Sequence, residues 1–325
     1  MRCLTFFRRC RGRRGRIGRV GACIVLLLLP LTAQAGCEVQ EAAAVPLRVA
    51  GDTPLVTVEV NGLAATFILD TGAQRSVVSP AATRRLGIAR DAWIGTTIRG
   101  VGGIDRRANA DPRSLSLGGL RLVRRTLTHD TSLTVAELPR TQVGDQVIDG
   151  NLGNDFLASF DLDLNIPDGR LTLYHVAGCS GRFLPWTEPY AAIPAEMPTA
   201  QAVLVPVVLD GVSLRAVLDS GSGASLLAAP GMYRMGLRDA ALDADPAVPL
   251  RGFGPRVLTM RQHRFGSLQV GPQQVQSPSL WVAPVRLAPI ADMILGADFM
   301  ARRRVWISFA SQQVFVARGA EPEGR

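Results

Sequence analysis

The sequence has few of the side chains that bind metals, and it lacks lysine altogether. Among its 325 residues are five cysteines and three histidines. The histidines, His129, His175 and His263, do not have the spacing of metal ligands. We therefore expect neither a metal site nor a cofactor.

Helical periodicity is also scarce, and aromatic residues make up only 6% of the chain. Most segments instead alternate apolar and polar residues with a period of two, which is typical of strands. A chain of this length with 47% hydrophobic residues can bury two cores. The composition therefore predicts a mainly β protein with two domains.

Acidic residues are outnumbered, and the formal net charge is +9. Eight arginines, however, lie in the first 20 residues without a single acid, which leaves +1 (9 − 8) for the rest of the chain. The positive excess thus belongs to a leader and not to a nucleic-acid-binding surface. We expect no nucleic-acid partner.

An apolar segment, residues 20–31, follows these arginines and leads to Ala33-Gln34-Ala35. The segment is short for a membrane span, and small residues on either side of Gln34 are typical of a signal-peptide cleavage site. We predict an exported protein, periplasmic or secreted. Two alternatives would attach it to a membrane: an uncleaved leader, or lipidation of Cys37. Export also permits a disulfide between Cys37 and Cys179.

Two short segments share one pattern, an apolar run followed by Asp, a hydroxyl residue and Gly. They are residues 67–73, with Asp70-Thr71-Gly72, and residues 216–222, with Asp219-Ser220-Gly221. The two aspartates are 149 positions apart (219 − 70). Asn-Gly or Asp-Gly lies nine residues before each aspartate, between alternating apolar residues. Each aspartate is therefore predicted to end the second strand of a tight hairpin.

The repeat continues beyond these segments. A helix is predicted after residue 79 and again near residue 230, and each is followed by glycine, at Gly87 and Gly236. Glycine-rich segments come next, and each copy closes with Leu-Gly and then Asp-Phe, at residues 152–156 and 295–299. Repeats of this length indicate two homologous lobes and not a solenoid.

Two carboxyl groups presented by equivalent loops can face each other. Two like charges within hydrogen-bond distance cannot both ionise, so such a pair shares one proton. The ionised member can take a proton from water while the protonated member polarises a carbonyl, which is general acid–base hydrolysis of an amide. We expect the hydroxyls of Thr71 and Ser220 to bond across to the other lobe. We expect the N–H groups of Gly72 and Gly221 to steady the carboxylates.

At these residues the sequence resembles the pepsin-like and retroviral-type (retropepsin-like) aspartic peptidases, over about residues 50–176 and 201–317. The matching pieces are Asp70-Thr71-Gly72-Ala73, Asp219-Ser220-Gly221-Ser222, Leu152-Gly153 and Ile294-Leu295-Gly296. The short lobes and the Asp-Phe resemble the bacterial retropepsin-like group. The resemblance implies two acid-protease lobes, each a small closed β-barrel-like unit with a short helix, in a pseudo-two-fold bilobal structure. It also implies Asp70 and Asp219 as the catalytic pair.

The resemblance further implies a β-hairpin flap over the substrate. The glycine-rich segments fall where flaps would be, although neither contains tyrosine. The flap candidates are Gly100, Val101, Gly102, Gly252, Phe253 and Gly254.

The two copies differ near the aspartates. Asn151 stands where the family has an apolar residue before Leu-Gly, and Ala73 corresponds to Ser222. Because Ser222 could donate a hydrogen bond to its own lobe's carboxylate and Ala73 could not, we predict that Asp219 is the more acidic of the pair.

Other aspartates have simpler interpretations. Asp155 and Asp298 are expected to be turn or cap residues that close each lobe. Asp161 and Asp163 alternate with apolar residues and are expected to be exposed.

These patterns predict the following organisation: a signal peptide (1–35), an N-terminal linker (36–49), a first peptidase lobe (50–176), a Pro-rich linker (177–200), a second lobe (201–318) and a disordered tail (319–325). The predicted function is that of an exported aspartic endopeptidase acting on peptides or proteins. We expect a monomer, since the tandem lobes supply both aspartates. The alternative is a catalytically inactive peptide-binding module on the same fold.

Overall fold

The computed structural model describes residues 36–123, 131–198, 202–287 and 291–317. The predicted signal peptide and the predicted disordered tail lie outside these residues. Within them, no helix combines the length and apolar character that crossing a membrane requires.

The described residues form mainly strands, with a few short helices. The strands before residue 178 are β1 (Glu38–Pro46), β2 (Arg48–Ala50), β3 (Thr53–Val60), β4 (Leu63–Leu69), β5 (Val77–Val78), β6 (Ala89–Gly100), β7 (Gly103–Asp111), β8 (Leu115–Leu117), β9 (Leu120–Arg121), β10 (Leu133–Val135), β11 (Gln142–Val143), β12 (Gln146–Val147), β13 (Gly150–Leu152), β14 (Asp161–Asn165) and β15 (Arg170–Ala177). Those after it are β16 (Tyr190–Pro194), β17 (Leu204–Leu209), β18 (Val212–Leu218), β19 (Leu226–Leu227), β20 (Ala247–Leu250), β21 (Leu258–Arg264), β22 (Ser267–Val270), β23 (Gln273–Gln276), β24 (Ser279–Val282), β25 (Met293–Leu295), β26 (Arg304–Ser308) and β27 (Gln313–Ala317). The α-helices are α1 (Pro80–Arg85), α2 (Asn154–Leu157), α3 (Ala229–Met235) and α4 (Ala297–Met300).

Two sheets with the same strand order form the two lobes. The first runs β6-β7-β10-β5-β13-β4-β3-β8-β9, with β2 added beside β3. The second runs β20-β21-β24-β19-β25-β18-β17-β22-β23. Each strand of one order therefore has a counterpart at the same place in the other. The prediction of a mainly β, bilobal structure with homologous lobes is confirmed.

The predicted hairpins form in both lobes. Strands β3 and β4 are joined by Asn61-Gly62, with φ of 54° and 80°, and β17 and β18 by Asp210-Gly211, with φ of 46° and 80°. Positive φ at both central residues is the requirement of the type I′ turn, whose twist matches that of the strands. The second strand of each hairpin therefore ends directly before the aspartate of the repeated motif.

A short strand from the closing Leu-Gly segment pairs in parallel with the second strand of each hairpin. In the first lobe β13 pairs with β4 and places Asn151 beside Ile68. In the second lobe β25 pairs with β18 and places Ile294 beside Val217. Asn151 and Ile294 therefore occupy equivalent positions next to the two aspartates.

A third sheet is shared by both halves of the chain, in the order β1-β15-β14-β26-β27-β16. Its central pair, β14 and β26, is antiparallel and joins the end of the first half to the end of the second. The disulfide between Cys37 and Cys179 ties β1 to the segment after β15. A sulfur in a disulfide carries no lipid, so this pairing and the lipidation of Cys37 are mutually exclusive.

The two segments expected to be linkers differ from that expectation. Residues 36–49 contain β1, which pairs with β15, and residues 177–200 contain β16, which pairs with β27. Both strands form the edges of the shared sheet. The proline that ends β16 has no N–H group to donate, which an edge strand tolerates.

The expectation that Asp161 and Asp163 are exposed is wrong. Each is only 2% exposed, because β14 is a central strand of the shared sheet. Trp306 donates to Asp161 through Nε1 at 3.1 Å, and Arg304 donates to Asp163 at 2.7 Å. Hydrogen bonds and an ion pair thus compensate the burial of both carboxylates.

Candidate active site

Asp70 and Asp219 lie side by side, directly after β4 and β18, close enough that each carboxyl group affects the pKa of the other. Asp70 is 7% exposed, and Asp219 is partly exposed toward a cleft. The two aspartates singled out in the sequence are therefore brought together.

The hydroxyl residues after the aspartates bond reciprocally across the two loops. Thr71 Oγ1 donates to the carbonyl of Leu218 at 2.8 Å and accepts from the N–H of Ser220 at 3.0 Å. Ser220 Oγ donates to the carbonyl of Leu69 at 2.6 Å and accepts from the N–H of Thr71 at 3.0 Å. Four buried hydrogen bonds thus hold the two loops together.

The glycines of the motif permit this close approach. A methyl group on Gly72 would overlap the carboxyl group of Asp219, and one on Gly221 would overlap that of Asp70. Each loop also donates two N–H groups to Oδ1 of its own aspartate. For Asp70 these come from Gly72 at 3.1 Å and Ala73 at 2.9 Å. In the second loop Gly221 and Ser222 donate in the same way, at 2.9 and 3.0 Å.

The two carboxyl groups differ in one further donor. Asn151 Nδ2 donates to Asp70 Oδ2 at 2.7 Å, whereas the equivalent residue beside Asp219 is Ile294, which has no polar group. Burial raises the pKa of both aspartates, and the hydrogen bond from Asn151 lowers that of Asp70. Burial and then the charge of Asp70 raise the pKa of Asp219 to about 8. Asp219 therefore holds the shared proton, and Asp70 is the ionised member.

The prediction that Asp219 is the more acidic aspartate is therefore wrong. Ser222 Oγ, which was expected to bond the carboxylate, donates instead to the carbonyl of Ala224 at 2.8 Å. The asymmetry comes from Asn151, which in the sequence was only a departure from the family pattern.

A serine–aspartate pair forms hydrogen bonds next to each of the two loops. Ser76 donates through N and Oγ to Asp155, at 3.0 and 2.7 Å. Ser225 donates in the same way to Asp298, at 2.9 and 2.7 Å. The sequence assigned these aspartates to turns or caps, and they do lie in the first turns of α2 and α4. Their serine partners were missed, although the two serines have the same 149-residue offset as the two Asp–hydroxyl–Gly motifs (225 − 76).

The flap candidates lie on two hairpins that meet over the cleft. Strands β6 and β7 carry Val101 and Gly102 at their tip, and residues 251–257 connect β20 to β21. The N–H of Gly102 donates to the carbonyl of Phe253 at 2.9 Å, and the N–H of Arg256 donates to the carbonyl of Gly102 at 3.1 Å. Because the backbones of Gly102 and Gly254 touch, a methyl group on either would overlap the other.

The cleft between the aspartates and the flaps has a volume of about 880 Å³. Four flap candidates line it, namely Gly100, Val101, Gly252 and Phe253. Asp70, Asp219 and Asn151 also line it. A cleft of this size accommodates a bound peptide segment.

Comparisons with known proteins give one family match and one structural match. A family model described as aspartyl protease matches residues 56–156 and 205–299, segments that contain Asp70 and Asp219. No curated protein matches the sequence. Among solved structures, the crystal structure of aspartic proteinase from Irpex lacteus matches with a TM-score of 0.48 and 14% identity, covering 87% of this chain and 97% of that chain.

Proposed function

The chain belongs to the aspartyl protease family, and we propose that it is an exported aspartic endopeptidase in which Asp70 and Asp219 activate a water molecule. The observation that carries this proposal is that equivalent loops of the two lobes place the carboxyl groups of Asp70 and Asp219 side by side in one cleft. Such a pair keeps one proton over a wide pH range and so offers a base and an acid at the same point.

The unequal surroundings of the two carboxyl groups support different roles for them. Asp70, which accepts the hydrogen bond of Asn151, is the base. Asp219, whose pKa is raised to about 8, is the acid. The water oxygen attacks the peptide carbonyl carbon, one water proton passes to Asp70, and Asp219 gives its proton to the carbonyl oxygen. The product of this step is a tetrahedral diol.

The second step restores the pair. Asp70 gives its proton to the amide nitrogen, Asp219 takes a proton from one hydroxyl of the diol, and the C–N bond breaks. The products are a carboxyl group and an amine. The hydrogen bonds of Thr71 and Ser220 keep the two carboxyl groups at a constant separation during these transfers, so that little reorganisation is needed.

Two features support a retropepsin-like arrangement of the cleft. Both lobes contribute a hairpin flap, and the two flaps hydrogen-bond to each other above the aspartates. Each flap therefore has to separate from its counterpart before a peptide enters the cleft.

The disulfide between Cys37 and Cys179 supports export, because disulfides persist in oxidising compartments. One chain supplies both aspartates and both flaps, which supports a monomer acting on peptides or proteins. Attachment to a membrane by an uncleaved leader is compatible with the same site.

Peptide cleavage tests this proposal. Residues 36–325, which form one compact unit, are assayed on a broad peptide library from about pH 3 to about pH 9, together with Asp70→Asn and Asp219→Asn. We expect cleavage that each substitution abolishes and that declines as the pH rises through about 8, where Asp219 loses its proton. Activity that survives either substitution refutes the pair. Binding of peptides without cleavage by the unmodified protein would identify the inactive binding module instead.

A further inference from the structure

Most of the charged side chains that line the cleft are positive. Apart from Asp70 and Asp219, they are all arginines: Arg75, Arg99, Arg140, Arg251, Arg256 and Arg286. Six guanidinium groups against one ionised carboxyl group leave the cleft with a net charge of +5 (6 − 1). Outside the first 35 residues the whole chain carries only +1. The positive charge is therefore concentrated in the cleft and does not reflect a generally basic surface.

Four of these arginines form two pairs related by the repeat. Arg99 and Arg251 each begin a flap tip, in the matching strings Arg-Gly-Val-Gly and Arg-Gly-Phe-Gly. Each flap tip comes from a different lobe, so the pair presents one positive charge from either side of the cleft.

Arg140 and Arg286 form the second pair, on the loops after β10 and β24. These strands are equivalent, since Ala136 donates to the carbonyl of Val78 and Ala283 to that of Leu227, both at 3.1 Å. Arg140 follows Ala136 by four residues, and Arg286 follows Ala283 by three. The second pair therefore comes from equivalent loops of the two lobes.

Most of these guanidinium groups are available to a ligand. Arg99, Arg251, Arg256 and Arg286 are exposed, and within the described ranges none of them forms an ion pair with an Asp or Glu of the chain. Arg140 donates to the hydroxyl of Thr53 at 2.9 Å, a neutral partner. Arg75 differs, because its Nε lies 3.9 Å from Asp155. Five like charges facing one cleft repel each other, and a ligand of opposite charge offsets this repulsion.

We propose that this site takes acidic peptides, with Asp or Glu side chains on both sides of the bond to be cleaved. The proposal rests on the proposed function for the cleavage step. Guanidinium groups bind carboxylates through two parallel hydrogen bonds, which makes arginine suited to this recognition. Because each pair has one member on each lobe, we expect acidic residues to be favoured on both sides of the bond and not on one alone.

Matched fluorogenic peptides test this inference. One set carries an apolar central pair flanked on each side by glutamates, and the other carries glutamines at the same positions. We expect the kcat/KM for the glutamate peptide to exceed that for the glutamine peptide by about tenfold or more at low salt. The preference should decrease as salt is added, because salt screens partly exposed charges.

Charge reversal locates the effect. Arg251→Glu and Arg99→Glu should each lower the preference for glutamate, and the two losses should be greatest on opposite sides of the cleaved bond. Arg286→Glu and Arg140→Glu should behave as a second such pair. Arg121→Glu is the matched control, since Arg121 is exposed on β9, at the far edge of the first sheet from β6. Thermal melts establish that each variant is folded.

Binding of the same peptides, measured by fluorescence anisotropy with Asp219→Asn, separates this inference from the proposed function. Equal binding and equal cleavage of the two peptides overturn the acidic preference while leaving the peptidase intact. Tighter binding of the glutamate peptide, without cleavage of either peptide by the unmodified protein, supports the acidic ligand and refutes the peptidase. A preference that Arg121→Glu lowers as much as Arg251→Glu does also overturns the assignment, because it would arise from overall charge.

Discussion

Replacing Asn151 by isoleucine should move the acid limb of the pH–rate profile to higher pH. Asn151 Nδ2 donates to Asp70 Oδ2 at 2.7 Å, and isoleucine is the residue at the equivalent position of the other lobe, Ile294. The substitution therefore removes one donor from the ionised carboxylate and makes the two halves of the site alike.

The size of the shift follows from the strength of the lost bond. A hydrogen bond to a charged group contributes about 1.5–3 kcal/mol, and about 1.4 kcal/mol corresponds to one pKa unit. The donor stabilises the ionised form, so its loss raises the pKa of Asp70 by about one to two units. The base then ionises only at higher pH, and the acid limb of kcat/KM moves upward by about the same amount.

Two further variants separate this effect from a loss of structure. Asn154→Ala removes another buried amide, one that donates at 2.7 Å to the carbonyl of Thr71. It should lower stability and leave the acid limb in place. Adding Ile294→Asn to Asn151→Ile supplies a donor beside Asp219 and should move the limb back toward its original position.

The assay is kcat/KM against pH for one peptide, with urea unfolding at about pH 4 as the check on folding. Oδ1 of Asn151 is buried and has no hydrogen-bond partner in the described part of the chain. Isoleucine at this position should therefore cost little stability when both aspartates are protonated. A folded Asn151→Ile protein with an unchanged acid limb would refute the reasoning, and so would an equal shift in Asn154→Ala.

Three other outcomes are expected. Thr71→Val deletes a buried hydroxyl that both donates and accepts across the loops. It should reduce the free energy of unfolding in urea by about 2–4 kcal/mol. The control, Thr57→Val on the exposed side of β3, should change this free energy by less than about 0.5 kcal/mol. Gly102→Ala should push the flap tips apart, because the new methyl group overlaps Gly254, and we expect a higher KM with a smaller change in kcat; an unchanged KM would contradict the flap contact. Asp219 keeps its proton up to about pH 8 when folded, against an ordinary pKa of 3.8, so the unfolded chain loses that proton first and stability declines as pH rises between these values. Asp219→Asn should remove most of this decline in thermal melts, and an equally steep decline in the variant would show that other groups cause it.

Much of the site could be predicted because its elements are local. Asn-Gly and Asp-Gly specify type I′ turns, and the alternating residues before them specify the strands that end at Asp70 and Asp219. Since the same strings recur at a constant offset, the two carboxyl groups could be assigned to one pair without knowing how the lobes pack.

Other features depended on chain segments that are distant in sequence. The role of Asn151 arises from the parallel register of β13 and β4, which sets its amide beside a carboxylate 81 residues away. Strands β1 and β16 looked like linkers because their partners, β15 and β27, lie more than a hundred residues further along the chain. The burial of Asp161 and Asp163 likewise follows from the shared sheet.

The sequence by itself determined that the protein has two β lobes and an aspartate at the same turn in each, since hairpin turns and strand alternation are short-range properties. Only the tertiary structure decided which aspartate keeps the proton and which charges face the cleft. A pKa depends on burial and on neighbours supplied by other strands, and the field in a cleft depends on which loops converge there. Neither quantity is encoded in any single stretch of the chain.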